Sequence, residues 1–175
     1  MIKNIHKLYI LIILISISNI GTCQNKSARL QIITGGNVDF IFNSFKKYDS
    51  GIVYTDYTKL KIYYIDTDGA GVHQNTNWQL DFKANSANIE GTSNNLDLRT
   101  IELTANNGAG TTANCLGKKQ LSSLDVTLVD TGKEISFEQS LINITYDCGT
   151  NATYKVLNKN PDFYFVDIIF TASPQ

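Results

Sequence analysis

Apolar side chains recur at every second position through most of this chain, a period that belongs to half-buried β-strands and not to helices. Trp78, Leu80, Phe82 and Ala84 alternate with Gln79, Asp81 and Lys83. Ile101, Leu103 and Ala105 alternate with Glu102 and Thr104, and Ile142, Ile144, Tyr146 and Cys148 with Asn143, Thr145 and Asp147. Leu60, Ile62 and Tyr64 alternate with Lys59, Lys61 and Tyr63. A strand turns successive side chains to opposite faces, so each segment carries one dry and one wet face. The last segment differs. Tyr164, Val166, Ile168, Phe170 and Ala172 share one face, and Phe163, Phe165, Asp167, Ile169 and Thr171 the other. Both faces are largely apolar, which predicts a strand that is central or covered on both sides. Shorter strands are expected at 30–34, 38–42, 51–57 and 124–129, with short helical turns at 45–48 or 134–140.

Gly35-Gly36-Asn37, Asp68-Gly69-Ala70-Gly71 and Asn106-Asn107-Gly108 supply the turn chemistry between these segments. Pro161 and Pro174 fall outside the expected strand interiors, where a missing N–H would break a ladder. About nine strands joined by such turns indicate an all-β chain built as a two-sheet sandwich or a barrel. A length of 175 residues fits one such domain.

Lys3 and Lys7 precede an apolar run from Leu8 to Ile17, followed by Ser18, Asn19, Gly21 and Thr22. A basic start, a short apolar stretch and a small-residue exit read as a secretory signal peptide over residues 1–23. The run is shorter than the roughly 20 apolar residues of a membrane span. The reading therefore gives an exported domain over residues 24–175 with no transmembrane segment, placed outside the cell, at its surface or in the periplasm. Ile20-Gly21-Thr22-Cys23 also resembles a lipobox, which makes Cys23 a candidate for lipidation, although cleavage before Gln24 is favoured. Export favours oxidised cysteine, so Cys115 and Cys148 are expected to form a disulfide. Closing a loop of about 33 residues is worth about 3.7 kcal/mol in the chain-entropy picture.

With 15 basic and 16 acidic residues the formal charge is -1, which argues against a nucleic-acid binder. His73 is the one histidine beyond the leader, and it lies in a Gly-rich turn without a G-x-S-x-G elbow or a triad around it. Asp66 and Asp68 read as a D-G turn in preference to a calcium loop, because Ala70, Gly71 and Val72 interrupt the run of oxygen ligands. Asp81, Asp97, Glu102, Asp125, Glu134 and Glu138 could serve a carboxylate hydrolase, but no spacing selects a pair. No catalytic, cofactor-binding or metal-binding residue is therefore assigned, and the chain reads as non-enzymatic. Aromatic faces with a polar tip stack on sugars or fill protein interfaces. Tyr57, Tyr63 and Tyr154 are the tyrosines expected at the surface, whereas Tyr64, Tyr146 and Tyr164 lie on apolar faces. An edge strand such as 30–34 offers its main chain to a neighbouring sheet.

Two stretches carry a family resemblance. Trp78-Gln79-Leu80-Asp81-Phe82, with Leu98-Arg99-Thr100-Ile101-Glu102-Leu103, resembles the W-x-L strand pair of bacterial surface domains of the WxL and pilin-like kind. Ile144-Thr145-Tyr146-Asp147-Cys148-Gly149, followed by Pro161 to Thr171, resembles the close of secreted pilin-like or adhesin-like β-sandwiches. The resemblance implies an immunoglobulin-like sandwich of about nine strands at the bacterial cell surface. Such a domain acts structurally or adhesively through protein partners or self-assembly. No binding residue carries over from it. A carbohydrate-binding module using exposed tyrosines is the alternative, and a carboxylate hydrolase is the least supported reading.

Overall fold

The computed structural model describes residues 25–74, 76–133 and 141–175. The expected leader, Cys23 and the turn at 134–140 lie outside the described residues. In chain order the elements are β1 (Asn25–Thr34), α1 (Phe45–Ser50), β2 (Ile52–Thr67), β3 (Asn77–Ala84), β4 (Glu90–Gly91), β5 (Ile101–Asn107), β6 (Ala113–Cys115), β7 (Lys119–Gln120), β8 (Val126–Lys133), β9 (Leu141–Cys148), β10 (Tyr164–Phe165) and β11 (Ile168–Pro174). A 3-10 turn at Leu98–Thr100 leads into β5, capped by the Asp97 carboxylate, which accepts the Arg99 N–H.

Two antiparallel sheets form a sandwich-like arrangement. One has the order β1-β2-β9-β5-β7, the other β11-β3-β8-β6, and β10 pairs separately with β4. The alternating residues meet between them. Leu60, Ile62, Tyr64, Leu103, Ile142 and Ile144 of the first sheet are fully buried with Trp78, Leu80, Phe82 and Val129 of the second. The Trp78 indole lies flat against Gly132, its register partner on β8, and donates its N–H to the Lys133 carbonyl at 2.9 Å. A Cβ at position 132 would overlap the indole ring, so this position requires glycine by close approach.

Several expectations are corrected. The described residues hold more than nine strands, because the two- and three-residue strands β4, β6, β7 and β10 are too short to leave a period in the sequence. The segment 38–42 is not a strand; Val38, Phe40 and Phe42 pack against the core without entering a ladder. The segments at 51–57 and 60–64 are one 16-residue strand, β2. The final apolar segment is neither central nor covered on both sides. It breaks into β10 and β11, and β11 is a sheet edge with Ile169 exposed. Pro174 is the last residue of β11, acceptable there because the strand is an edge. The short helix falls where 45–48 was expected.

The Cys115–Cys148 disulfide is also corrected: both thiols are free. Cys148 points into the core from the end of β9, between Ile52 and Ile101, as its alternation predicted. Cys115 ends β6 in the other sheet, opposite Val129, next to a register shift. Facing sheets stand about 10 Å apart, and a disulfide needs Cα atoms within about 7 Å, so an inward direction alone does not bring the two together. Burial pushes the Cys148 thiol up to about 12 and raises that of Cys115 as well.

Candidate functional site: an interaction surface

The most unusual backbone lies in the middle of β2. Between Tyr54, opposite Tyr146, and Thr58, opposite Ile144, three residues of β2 face the single Thr145 of β9. This bulge forces Asp56 to φ 49°, a left-handed conformation that a short polar side chain tolerates. The Thr145 hydroxyl accepts the Asp56 N–H at 2.9 Å, and the Asn106 amide donates to the Asp56 carboxylate at 3.0 Å. On the other side Thr58 donates its hydroxyl to the Gly35 carbonyl at 2.6 Å, and its Oγ1 lies 3.0 Å from the Tyr146 hydroxyl. Gly35 has φ 73°, and a Cβ there would strike the Tyr57 carbonyl. The chain after β1 thus folds back against the bulge.

That return brings aromatic rings together. Phe40 stacks on Tyr54 with centroids 5.2 Å apart, and Tyr54 stacks on Tyr57 at 5.4 Å. The Tyr54 hydroxyl donates to the Asp39 carbonyl at 3.0 Å. Tyr57, at the end of the row, is 41% exposed, and Ile41 and Phe45 on the same returning segment are exposed too. Tyr54 stacks with both Phe40 and Tyr57, so the row is a short ridge of stacked rings, half-buried at Phe40 and Tyr54 and exposed at Tyr57.

The three expected surface tyrosines do not form one site. Tyr57 ends the ridge. Tyr63 is half-buried, six residues further along β2 and opposite Arg29 of β1. Tyr154 sits beneath the Arg99 guanidinium, 4.3 Å from its ring centroid. Arg99 is itself held by two bonds to Asp97, at 2.9 and 2.6 Å, which keep the Asp97 carboxyl below its ordinary range.

The polar candidates have structural partners. Asp68 accepts the N–H groups of Ala70 and Val72, both at 2.9 Å, which builds the expected turn. Asp66 is fully buried, accepts the Thr76 hydroxyl at 2.6 Å and pairs with Lys26 of β1 at 3.4 Å. Glu102 and Asp147 are direct cross-strand neighbours and both buried, a pair that sequence spacing did not reveal. Lys118 binds Asp147 at 2.7 Å and Asn151 binds Glu102 at 3.1 Å, which offsets the like-charge opposition. Among the described residues no three His, Cys, Asp or Glu side chains converge as metal ligands, and no helix is long and apolar enough to cross a membrane. A cavity of about 120 Å³ lies between Ser86, Glu90 and Asp167, below the volume of an ordinary small-molecule site.

The remaining feature is the flank formed by β1 and β11. These two edges lie side by side, one from each sheet, ten and seven residues long. The opposite flank ends in β7 and β6, of two and three residues. On these edges Ile32, Ile33 and Ile169 are exposed; Phe163 and Phe165, in the segment that precedes β11, are exposed as well, Phe163 at 90%.

The bulge was invisible in the sequence because it adds two residues, which preserves the parity of the alternation on either side. Compared with known proteins, the chain matches no family model and no curated sequence.

Proposed function

We propose that this is a non-enzymatic exported protein of the bacterial cell surface, a pilin-like or adhesin-like subunit that works through protein–protein contacts. The observation that carries this reading is the flank formed by β1 and β11. Among the described residues these two long edge strands have no further strand paired to them and carry exposed apolar side chains, while the other side ends in strands of two and three residues. Exposed edges of this kind recruit another chain through main-chain bonds, with alternate side chains setting register. The aromatic ridge adds the tyrosine-rich surface that interfaces favour. An immunoglobulin-like sandwich is the architecture the resemblance implies, and the two packed antiparallel sheets are compatible with it. Export rests on the leader and not on a disulfide, since both core thiols are free.

Fractionation of the producing cells tests the reading. Recovery at the envelope or in the medium, with the chain cut before Gln24 or lipidated on Cys23, is expected; recovery wholly in the cytoplasm would overturn it. The glycan-binding alternative keeps the outer face of Tyr57, and a glycan array at protein concentrations suited to weak binding decides it.

A further inference from the structure

We propose that the small cavity beside β10 receives the side chain of a lysine or arginine presented by a protein partner. The inference rests on the protein-contact reading and names the chemistry of that partner.

The cavity of about 120 Å³ is walled by Asn85, Ser86, Glu90, Phe165, Val166 and Asp167. A ribbon outside the two main sheets builds one side of it. β10 and β4 pair only with each other, Tyr164 opposite Gly91 and Phe165 opposite Glu90. Tyr164 packs against the core and donates its hydroxyl to the Asn160 carbonyl at 2.8 Å. Asp162 accepts the N–H groups of Ser93 and Phe163, both at 2.8 Å. Further along, the Asn85 N–H donates to the Asp167 carbonyl at 3.0 Å. The ribbon is therefore fixed on the core. Strand alternation then turns Phe163 and Phe165 away from it on either side of Tyr164, 90% and 64% exposed.

Charge selects the occupant. Glu90 is the cross-strand partner of Phe165, and Asp167 follows that ring by two residues, so two carboxylates and one aromatic ring share the cavity. Both carboxylates are exposed, and neither has a hydrogen-bond or ion-pair partner among the described residues. Lys83, opposite Ile169 of β11, is engaged by Asp125 at 3.1 Å. A concave site lined by one sign of charge concentrates counter-ions, and it repels anions. A calcium ion takes six or more oxygens and would leave the ring unused. Among the described residues no third carboxylate, His or Cys joins the two as a ligand. A neutral apolar group would leave both carboxylates unpaired. A long basic side chain satisfies every wall: its methylene stem lies on Phe165 and its head meets Glu90 and Asp167. The volume, that of about four waters, suits one such head and not a drug-sized ligand. Phe163 extends the apolar surface on which the partner's chain rests.

Binding is measured on the purified exported chain by amide NMR, with N-acetyl-lysine methylamide as the probe. Saturable shifts at Ser86, Glu90, Phe165 and Asp167 are expected, with a dissociation constant of about 1–10 mM. Glu90→Gln and Asp167→Asn should each weaken binding about threefold, as should Phe165→Ala. Neither carboxylate has a structural partner, so the melting temperatures of the Gln and Asn variants should match that of the parent. N-acetyl-norleucine methylamide keeps the stem without the charge and should bind about tenfold more weakly. Phosphoethanolamine offers the same ammonium as a lipid headgroup does, with a phosphate that the carboxylates repel, and should not bind. No shifts up to about 50 mM, equal binding of the norleucine probe, or indifference to both carboxylate variants would overturn the proposal. Phosphoethanolamine binding as tightly as the lysine probe would overturn it in favour of a lipid headgroup. Calcium chloride saturating the same amides at lower concentration would overturn it in favour of a metal ion. Lysine binding by a chain confined to the cytoplasm would keep this site and remove the surface reading; envelope recovery without lysine binding would do the reverse.

Discussion

Gly132→Ala tests whether the core is built as described. Trp78 is fully buried, and its indole occupies the space that a Cβ at 132 would take. Alanine must therefore displace the ring. Overpacking of a tight core costs about 1–3 kcal/mol. A shifted indole also weakens its bond to the Lys133 carbonyl, for about 1 kcal/mol more. The expected loss is about 2–4 kcal/mol, read from urea unfolding followed by circular dichroism, with the m-value unchanged. The cause is isolated by a cycle with Trp78→Leu. That change alone costs about 2–4 kcal/mol by leaving a cavity, but it removes the ring that alanine strikes. In the Trp78→Leu background, Gly132→Ala should cost close to nothing, a coupling of at least about 2 kcal/mol between the two positions. Equal costs in both backgrounds would refute the close approach. Gly36→Ala, at a site with open space around the missing Cβ, is the control and should be near neutral.

Other outcomes follow from the same structure. Cys148, with its thiol pushed up to about 12, should resist a thiol reagent in the native state at pH 8 and react only on unfolding, while the denatured chain titrates both Cys115 and Cys148; a bridged pair detected by intact mass would contradict this. Lys26→Met leaves the buried Asp66 carboxylate without that cation and should cost about 1–2 kcal/mol in urea unfolding, less than a fully buried pair because Lys26 is partly exposed. Asp56→Val should destabilise by about 1–3 kcal/mol and Asp56→Gly by less, since φ 49° disfavours a β-branched residue; equal losses would mean that the Asn106 contact and not the backbone matters. Asp97, Asp130 and Asp162 are all held below the ordinary carboxylate range by hydrogen bonds, from Arg99, from Thr131 and from the Ser93 N–H respectively. Their contribution is present above the unfolded value and lost as pH falls through the folded one, so the melting temperature should drop below about pH 4 and not between pH 5 and 8.

The parts of the fold that were legible are those where one side of a strand is dry. Trp78 to Ala84 and Leu60 to Tyr64 declared their inner faces because burial alternates with a period of two. Cys148 did the same, and its direction was readable where its partner was not, because pairing depends on where a three-residue edge strand lands. The final segment misled because two apolar faces usually mean cover from both sides. Here Ile169 is exposed on the edge strand β11, and Phe163 and Phe165 are exposed in the segment before it. The aromatic ridge was half legible: Tyr57 was marked, but its neighbours Phe40 and Tyr54 depend on a fold-back enforced by Gly35 and a parity-preserving bulge. Glu102 and Asp147 became neighbours only through the β5–β9 register, which local sequence does not encode.

The measurement that tests the central claim most directly is the intact mass of the protein recovered from fractionated cells, with and without reductant. An envelope or secreted form beginning at Gln24, or carrying lipid on Cys23, with a mass unchanged by reductant, is the predicted result. A chain retaining Met1 and confined to the cytoplasm would contradict the claim.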